Sequence, residues 1–452
     1  MPSAVYHTQH IRCVLSKAFR HGIVVVLLWL SVPCCYADVK AWIESEMDSI
    51  AGLYIHLHRN PELSFQEKAT AARIAQELRN AGYDVTTGVG GHGVVGLLKN
   101  GDGPCIMLRC ELDALPVTEA TGLEYASTVT ATTDQGKQTG VMHACGHDLH
   151  MANMVAVGRY MSSIRDQWSG TLMLVAQPAE ERIQGALAML KDGLFERFPK
   201  PDVALALHIA ADMPTGKVGY RAGPLMANLD SIDIILKGRG GHGSSPHLTI
   251  DPVTQAAELI LSLQLIVSRE ISPMEPALIT VGSIHGGTQY NVIGDECHLQ
   301  LTVRSYSSKV RQHLLDSIHR RAKAVAAGAG APEPVIQVSE GTPSVLNDAN
   351  LTARLADVSR KVLGDENVLE APLTMGGEDF SRYHEAGVPI VMYRLGSVSQ
   401  RRLDQYAAAG RTPPSAHSSL YYPDFEEALT TGIITMTSSV LELMKPGSSK
   451  PQ

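Results

Sequence analysis

The run Val141-Met-His-Ala-Cys-Gly-His-Asp-Leu-His150 places a thiol, three imidazoles and a carboxylate within eight residues. Thiolate and neutral imidazole are preferred ligands of zinc and of neighbouring first-row metals. Gly146 allows the backbone to turn tightly between Cys145 and His147. Histidines also cluster by chance on solvated loops, and this chain has 18 of them. Because later segments supply matching groups, the run predicts a metal site.

Length and composition limit the class of protein. At 452 residues the chain is too long for one ordinary domain, so two or three are expected. Its apolar fraction of 44% is enough to build hydrophobic cores. A formal net charge of -8, with no basic run interleaved with aromatic residues, argues against nucleic-acid binding.

The N-terminal segment, residues 1–37, has the pattern of a signal peptide. Basic residues precede an apolar stretch at positions 23–32, and the small Ala37 precedes Asp38, which suits cleavage by a signal peptidase. The apolar stretch is shorter than the about 20 residues of a membrane span, although an uncleaved anchor stays open as an alternative. We therefore expect an exported protein, periplasmic or secreted.

After removal of this segment, the remaining cysteines are Cys105, Cys110, Cys145 and Cys297. Cys105 and Cys110 lie on one predicted strand, where five residues at ~3.3 Å each separate them by roughly 16 Å. A disulfide requires Cα atoms within about 7 Å of each other, so no disulfide framework is expected. A lone thiol within a histidine cluster suggests that metal protects it.

The patterns of apolar residues predict an α/β unit. Spacings of three and four residues predict a helix over residues 42–81 that ends at Gly82. Strands and helices then alternate, and in chain order they are 94–98 (strand), 106–109 (strand), 151–164 (helix), 171–176 (strand), 186–191 (helix) and 203–207 (strand). This alternation predicts crossover connections and a largely parallel sheet covered by helices.

A different pattern begins near Asn228. Its elements follow the order β-α-β-β-α-β, which is that of a ferredoxin-like module. In chain order they are 231–236, 251–268, 277–281, 298–303, 309–327 and 335–338. The first pattern then resumes with a helix at 351–363, a strand at 389–393 and a helix at 425–443. We therefore predict an α+β domain, residues 227–338, inserted between catalytic segments 38–226 and 339–452.

Four further candidate ligands are placed near the ends of predicted strands or helices. Glu180 and Glu181 come after one strand, His208 follows another, and His417 lies in a loop before the last helix. In open α/β sheets, sites gather outside the carboxyl ends of the strands. Each residue alone is weak evidence, because a strand-end histidine is more often structural and paired glutamates more often begin a solvated helix. Their joint placement with the cysteine–histidine run predicts one metal-binding crevice.

Two adjacent glutamates can divide the chemistry of hydrolysis. One ligates metal while its neighbour accepts the proton of a metal-bound water, whose pKa falls towards ~7. The same carboxylate then passes the proton to a leaving amine. Asp113 follows another strand end and could orient a ligand histidine.

The chain resembles the M20 metallopeptidases in a series of short motifs. In order along residues 44–443 they are Glu111-Leu-Asp-Ala-Leu-Pro116, Met142-His-Ala-Cys-Gly-His-Asp148, Gln177-Pro-Ala-Glu-Glu181, Gly240-Gly-His-Gly-Ser-Ser-Pro-His247, Asn291-Val-Ile and Gly376-Gly-Glu-Asp-Phe380. More narrowly, they resemble the amidohydrolase subfamily, which includes hippurate hydrolases, aminoacylase-like carboxypeptidases and auxin-conjugate hydrolases. The run around Cys145 is a highly specific motif.

The resemblance implies a catalytic domain with two divalent metal ions and an inserted lid or dimerisation domain. The metal ligands that it implies are Cys145, His147, Glu181, His208 and His417. It implies that Glu180 is the general base. Zinc and manganese are the metals expected, and cobalt and nickel also suit such mixed ligands. Cys110 and Gly294 depart from residues that the family often has, but neither is an implied ligand.

In the inserted domain, the resemblance implies that His242 and Asn291 reach the site of a neighbouring subunit and stabilise a tetrahedral oxyanion. The assembly expected is a homodimer, or a dimer of dimers. It implies that Arg304 holds the free carboxylate of the substrate, which suits a guanidinium group. A surface arginine at the end of a strand is the alternative for Arg304. His150 and His247 are interpreted as structural.

Together these inferences predict an enzyme that hydrolyses the amide bond of N-acyl-L-amino acids or short peptides with a free carboxylate. A dipeptidase or a broad-specificity metallocarboxypeptidase is the alternative among hydrolases. A catalytically inactive binding protein on the same fold is the alternative from another class. A third alternative uses Cys145 as a nucleophile, in which case an orienting group would be needed.

Overall fold

The computed structural model describes residues 31–339 and 341–446. The predicted export signal, residues 1–37, falls outside them except where the first helix begins. Within the described residues, no helix combines the length and the apolar content that crossing a membrane requires. The helices are α1 (Ser31–Arg59), α2 (Lys68–Asn80), α3 (His147–Ser163), α4 (Gly185–Lys191), α5 (Leu194–Arg197), α6 (Pro252–Glu270), α7 (Ser308–Gly328), α8 (Ala349–Leu363), α9 (Ser381–Glu385), α10 (Gln400–Ala408) and α11 (Phe425–Leu443).

The strands build one large sheet and several small ones. They are β1 (Asp84–Val89), β2 (Gly93–Asn100), β3 (Cys105–Glu111), β4 (Thr130–Thr132), β5 (Gln138–Gly140), β6 (Gly170–Gln177), β7 (Val203–Pro214), β8 (Val218–Tyr220), β9 (Gly223–Met226), β10 (Asn228–Lys237), β11 (Gly241–His242), β12 (Ala277–Gly286), β13 (Val292–Ile293), β14 (Glu296–Ser305), β15 (Val335–Val338), β16 (Val345–Asn347), β17 (Val368–Glu370) and β18 (Ile390–Val398). The large sheet has the order β1-β2-β6-β3-β7-β18-β8-β17.

The centre of the large sheet is parallel. Strands β6, β3, β7 and β18 pair in parallel with one another. The pairings β1–β2, β2–β6 and β18–β8 are antiparallel and lie towards the edges. The prediction of a mainly parallel sheet is therefore confirmed, although its edges are mixed.

Strand β3 is buried on both faces of this sheet. Ile106, Leu108 and Cys110 pack into one core, whereas Met107 packs into a second core on the other face. The first core includes residues of α1, α3, α8 and α11, and the second includes residues of α4 and α9. A strand with helices on both faces can be apolar at nearly every position.

The inserted unit is a four-stranded antiparallel sheet in the order β12-β14-β10-β15. Helix α6 connects β10 to the next long strand, and α7 connects β14 to β15, which gives the predicted β-α-β-β-α-β order. Leu263 of α6 and Leu314 of α7 are buried in one core with the sheet. Asp251 caps α6 and Ser307 caps α7 through side-chain hydrogen bonds to backbone N–H groups. The predicted fold class, an α/β catalytic unit with an inserted ferredoxin-like α+β lid, is confirmed.

Two sequence predictions about individual elements are wrong. The single helix expected over residues 42–81 is instead α1 and α2, separated by an irregular segment. Pro61 disfavours a helical conformation at Asn60, and Phe65 adopts a left-handed φ of 63°. Strand β7 continues well past residue 207, because β18 stays paired with it as far as Pro214. His208 therefore lies within β7 instead of at its end.

Candidate metal centre and active site

The candidate site lies at the carboxyl ends of the central parallel strands. Asp113 follows β3, Glu180 and Glu181 form a short 3-10 helix after β6, and His147 is the first residue of α3. His208 lies on β7 beyond the last residue of that strand that pairs with β3. Parallel strands thus deliver these side chains to one crevice.

Cys145, His147 and His208 form one group of candidate ligands. One ligand atom from each lies within 4.8 Å of the others. The distance from Cys145 Sγ to His208 Nε2 is 3.5 Å. All three side chains are buried, so their polar atoms need partners inside the protein.

Glu181 and His417 form a second group with the same thiol. Ligand atoms of Cys145, Glu181 and His417 lie within 4.8 Å of one another, and His417 Nε2 is 3.6 Å from Glu181 Oε2. The backbone N–H of His417 donates to the carbonyl of Ala144 at 2.8 Å, which ties this loop to the Cys145 turn. The structure therefore brings all five ligands predicted from the sequence together, in two groups that share Cys145.

Backbone carbonyls orient the two buried histidines. His147 Nδ1 donates to the carbonyl of Asp113 at 2.8 Å, and His208 Nδ1 donates to that of Ile209 at 2.9 Å. In this tautomer each ring presents an Nε2 lone pair to the cluster. Within the described residues, His147 Nε2 and Glu181 Oε1 are buried and have no hydrogen-bond partner. A cation would satisfy both atoms, so this donor set fits a divalent metal.

The acid–base properties of Cys145 and Glu181 depend on whether a cation is bound. Burial and the charge of Glu181 raise the pKa of the Cys145 thiol well above its ordinary range. Burial raises the pKa of Glu181 to about 7, against the opposing attraction of His147. A bound divalent cation reverses this tendency, because it deprotonates a coordinating thiol and stabilises a carboxylate.

Glu180 lies beside the same cluster. Its Oε2 is 3.8 Å from His147 Nε2, and its side chain is buried. Burial, followed by the charges of Glu378 and Glu181, raises the pKa of Glu180 well above its usual range. A carboxyl group with a raised pKa next to a metal site suits proton transfer.

The short helix that carries the two glutamates is strained at both ends. Ala179 has a φ of 51° and Ile183 a φ of 58°, values that residues with a Cβ rarely adopt. Glu67 Oε1 accepts hydrogen bonds from the N–H groups of Ala179 and Phe65, both at 2.8 Å. One buried carboxylate therefore holds two left-handed residues in place. Such strain is concentrated at functional sites.

A buried ionic network under Glu180 was missed by the sequence analysis. Arg109 Nη2 lies 2.8 Å from Glu378 Oε1 and 3.0 Å from Asp379 Oδ1, and Nη1 pairs with Glu111. Carboxylate oxygens of Glu180, Glu378 and Asp379 lie within 4.8 Å of one another. Two signals were available: a charged residue in an apolar strand, and the acidic pair in the Gly-Gly-Glu-Asp-Phe motif.

A second buried charge pair, also missed, connects α1 to α3. His58 Nδ1 is 2.7 Å from Asp148 Oδ2, and His58 Nε2 is 3.2 Å from Glu119 Oε1. Burial alone would lower the pKa of His58, but the two carboxylates outweigh it and raise the pKa to about 9. Asp148 adjoins the candidate ligand His147, so this pair anchors the start of α3.

His150 and His247, interpreted from the sequence as structural, lie in different settings. His150 Nδ1 donates to Glu111 Oε2 at 2.8 Å, and its Nε2 accepts from the backbone N–H of Ile209 at 3.1 Å. Both ring nitrogens of His150 are therefore satisfied by the protein. His247 lies in a short 3-10 helix on the exposed surface of the inserted unit.

His242 and Asn291 lie together on this unit, in and beside the small β11–β13 ladder. The N–H of Gly243 donates to the carbonyl of Asn291 at 2.8 Å. His242 Nδ1 accepts from the backbone N–H of Ser244 at 3.0 Å, so the ring carries its proton on Nε2 and can donate from there. Both residues are exposed, and within the described residues no hydrogen bond or ion pair joins either side chain to the candidate ligands.

Arg304 lies on β14, where the inserted unit meets the catalytic unit. Its Nη1 donates to the carbonyl of Met375 at 2.5 Å, close to the Gly-Gly-Glu-Asp-Phe motif. Burial lowers the pKa of Arg304, and no carboxylate of the described residues offsets this effect. Among the described residues, Arg304 forms no ion pair, so its charge is available to an anionic ligand.

Comparison with known proteins identifies the family to which this chain belongs. The model of peptidase family M20/M25/M40 matches residues 107–409. The N-acetyl-L-cysteine deacetylase of Bacillus subtilis is 35% identical over 337 residues, which cover 74% of this chain and 77% of that protein. The hippurate hydrolase of Campylobacter jejuni is 37% identical over 335 residues, which cover 73% and 83%.

A solved structure from Bacillus subtilis, described as a dinuclear metal-binding peptidase from the M20 family, superimposes with a TM-score of 0.73 at 29% identity. The superposition covers 89% of this chain and 99% of that one. The family match includes the Cys145 turn, both glutamates and the strand that carries His208. The chain therefore belongs to peptidase family M20/M25/M40 and is a hydrolase of amide bonds.

Proposed function

We propose that this protein is a metal-dependent amidohydrolase that cleaves N-acyl-L-amino acids, or short peptides, with a free carboxylate. The observation that carries this proposal is the convergence of buried ligand atoms that have no hydrogen-bond partner among the described residues, above all His147 Nε2 and Glu181 Oε1. The names of the two relatives, a deacetylase of N-acetyl-L-cysteine and a hippurate hydrolase, support this substrate class.

The cofactor that fits the cluster is a pair of divalent ions, zinc or manganese, with cobalt or nickel also suited to mixed ligands. The two ligand groups that share Cys145 support two ions per subunit. When bound, such ions polarise the scissile carbonyl and make water a stronger nucleophile. Asp113 positions two of the candidate ligands, since its carbonyl accepts from His147 and its carboxylate accepts from the Glu181 N–H at 2.9 Å.

Glu180 is the group to which we assign proton transfer. Its buried carboxylate takes a proton from the attacking water and delivers it to the nitrogen of the leaving amine. Glu181 is directed instead towards His417 and Cys145. In this proposal the short 3-10 helix directs Glu180 to proton transfer and Glu181 to metal binding.

Arg304 is assigned to the carboxylate of the substrate. Its guanidinium is half-buried and forms no ion pair within the described residues, so an incoming carboxylate would gain a strong charge-assisted hydrogen bond. Its contact with Met375 holds it next to the motif that contains Glu378. This contact supports a position of the anionic end of the substrate on the side of the inserted unit.

We further propose a homodimer in which His242 and Asn291 reach the site of the other subunit and stabilise the tetrahedral oxyanion. Their exposure, and the free Nε2–H of His242, support this role. Leu261 and Leu265 on α6 and Ile284 on β12 are exposed apolar side chains of the same unit. Residues 1–37 are proposed to direct the protein to the periplasm or the medium.

A panel of N-acyl amino acids and dipeptides, assayed with metal-reconstituted protein, tests the proposal. We expect turnover of N-acyl amino acids that disappears on chelation and returns with metal. Hydrolysis of dipeptides alone would indicate a dipeptidase. Metal binding without turnover of any substrate would indicate a binding protein, and activity that survives complete metal removal would indicate a Cys145 nucleophile.

A further inference from the structure

The irregular segment between α1 and α2, residues 60–67, lies against the candidate site. We call it the α1–α2 connection. Leu63 pairs with Ala114 in an isolated parallel bridge, and the backbone N–H of Ala114 donates to the carbonyl of Glu62 at 2.8 Å. The connection is therefore fixed to the segment after β3 that carries Asp113.

Glu67, at the end of this connection, holds the backbone that precedes Glu180. Its side chain is buried, and its Oε1 accepts hydrogen bonds from the N–H groups of Ala179 and Phe65, both at 2.8 Å. The two donors have left-handed φ angles of 51° and 63°. Such backbone persists only where the surrounding structure determines it. Without this acceptor the backbone at Ala179 is free to relax, and Glu180 moves with it.

The carboxylate of Glu180 depends on this backbone for its position. Within the described part of the chain it makes no hydrogen bond, and its Oε2 lies 3.8 Å from His147 Nε2. A group that transfers a proton must come within about 2.6–3.2 Å of the atom that it serves. A misplacement of about 1 Å can lower a rate about 10²-fold. The conformation of Ala179 therefore determines whether Glu180 reaches the attacking water.

Ser64, earlier in the same connection, acts on the other glutamate. Its hydroxyl donates to Asp113 Oδ2 at 2.6 Å, and both side chains are buried. The same carboxylate oxygen accepts from the backbone N–H of Glu181 at 2.9 Å, and Asp113 Oδ1 lies 3.4 Å from His147 Nδ1. Ser64 therefore fixes a carboxylate that contacts two of the candidate ligands.

We infer that the α1–α2 connection positions the two glutamates separately. Glu67 sets the position of Glu180 for proton transfer. Ser64, acting through Asp113, sets the position of Glu181 for metal binding. This inference rests on the proposed function, which assigns different roles to the two glutamates. Loss of the first contact should therefore change turnover at constant metal content, whereas loss of the second should change metal affinity.

The first test compares Glu67→Leu with Glu67→Gln in metal-loaded full-length protein. Leucine removes both accepted hydrogen bonds, whereas the carbonyl oxygen of glutamine can accept both. The glutamine NH2 group then replaces Glu67 Oε2, which is buried and has no hydrogen-bond partner among the described residues. We expect Glu67→Leu to lower kcat by about 10²-fold, with KM and metal content unchanged. Glu67→Gln should retain kcat within about threefold of the wild type.

Two further variants separate positioning from a general loss of structure. In Glu180→Gln protein, which already lacks the proton-transfer group, Glu67→Leu should lower kcat no further. Glu77→Leu is the matched control, because Glu77 is a buried glutamate of α2 that pairs with Arg73 at 2.8 Å and Arg159 at 2.5 Å. It should lower the midpoint of thermal unfolding but not kcat. If Glu67→Leu folds poorly, Glu67→Asp, which withdraws the carboxylate by one methylene group, should lower kcat in the same direction.

The second test uses Ser64→Ala and measures metal affinity by competition with a chromophoric chelator, which does not depend on activity. We expect an affinity lower by roughly 10–100-fold, and a kcat at saturating metal within about threefold of the wild type. Equal losses of kcat in Glu67→Leu and Glu67→Gln, a further loss in the Glu180→Gln background, or unchanged metal affinity in Ser64→Ala would overturn the inference. If the metal-loaded wild type hydrolyses no N-acyl amino acid, or if Glu180→Gln keeps full turnover, the proposed function itself fails.

Discussion

Replacing Arg109 by methionine should destabilise the protein strongly. The side chain projects from β3, is buried, and pairs with three buried carboxylates, those of Glu111, Glu378 and Asp379. Methionine fills much of the same space but leaves these carboxylates without a counter-charge. Removing one partner of a buried ion pair costs about 3–5 kcal/mol. Because one guanidinium serves several acids here, we expect a loss of about 4–5 kcal/mol in the free energy of unfolding at pH 8.

The loss should depend on pH in a defined direction. Burial already raises the pKa of Glu378 to about 7, even though Arg109 opposes this shift. Without the arginine the carboxyl protonates more readily, and a neutral Glu378 no longer requires a cation. The destabilisation of Arg109→Met should therefore be smaller at pH 5.5 than at pH 8.

Urea unfolding of the wild type and the variant at both pH values measures this effect. Arg360→Met is a matched control, because Arg360 pairs with Asp357 on an exposed face of α8, where its side chain is 43% exposed. Such a surface pair contributes about 0–1 kcal/mol. If Arg109→Met is no less stable than Arg360→Met, or if its deficit grows towards low pH, Arg109 does not neutralise the buried acids.

Three further predictions concern a buried histidine, the dimer and the substrate. The pKa of His58 is raised from 6.5 to about 9, so its ion pairs contribute about 3 kcal/mol to the free energy of unfolding below pH 6.5, and this contribution is lost as the pH rises through about 9. The variant His58→Gln should therefore lack the fall in stability between pH 6.5 and about 9. An unchanged dependence of stability on pH would contradict the assignment. Mixing Glu180→Gln with His242→Ala protein should restore part of the activity in exchanged heterodimers, whereas no recovery despite proven exchange would place His242 at its own subunit's site. Arg304→Ala should lower kcat/KM roughly ten- to a hundredfold on N-acyl amino acids but hardly on their C-terminal amides, and equal losses on acids and amides would show that Arg304 does not bind the carboxylate.

The fold class followed from patterns that depend on local chemistry. The spacing of apolar residues distinguishes helices from strands. The β-α-β-β-α-β order of the inserted unit could therefore be predicted from the sequence, without knowing which strands pair. Helix α11 and strand β15 were predicted with the bounds that the structure has. The short strands β8 and β17 were not predicted, since three residues carry too little periodicity.

The extent of β7 could not be predicted because it depends on a distant partner. Residues 208–214 are a strand because β18 remains paired with them, and the paired residues Arg394 and His208 are 186 positions apart in the chain. The sequence-based interpretation therefore identified His208 as a ligand candidate but misjudged its position in the strand. The break between α1 and α2 was signalled by Pro61, whereas the strain at Phe65 depends on Glu67 and on the loop of Ala179.

The candidate ligands could be predicted from the sequence because few residue types bind such metals, and here cysteine, histidine and glutamate occur close together or near predicted strand ends. The residues that support them are harder to recognise, since their partners are far apart in sequence. Arg109 and Glu378 are separated by 269 positions, and His58 and Asp148 by 90. A charged residue in an apolar strand predicts that a partner exists, but only the packed fold identifies it.

The division of roles between the two adjacent glutamates is the centre of the proposed chemistry. Metal content and turnover should be measured side by side for Glu180→Gln and Glu181→Gln, which remove the same charge one residue apart. Glu180→Gln should bind as much metal per chain as the wild type while its turnover falls by about 10²–10⁴-fold, and Glu181→Gln should lose metal. Near-normal turnover in Glu180→Gln, or full metal content in Glu181→Gln, would contradict this assignment.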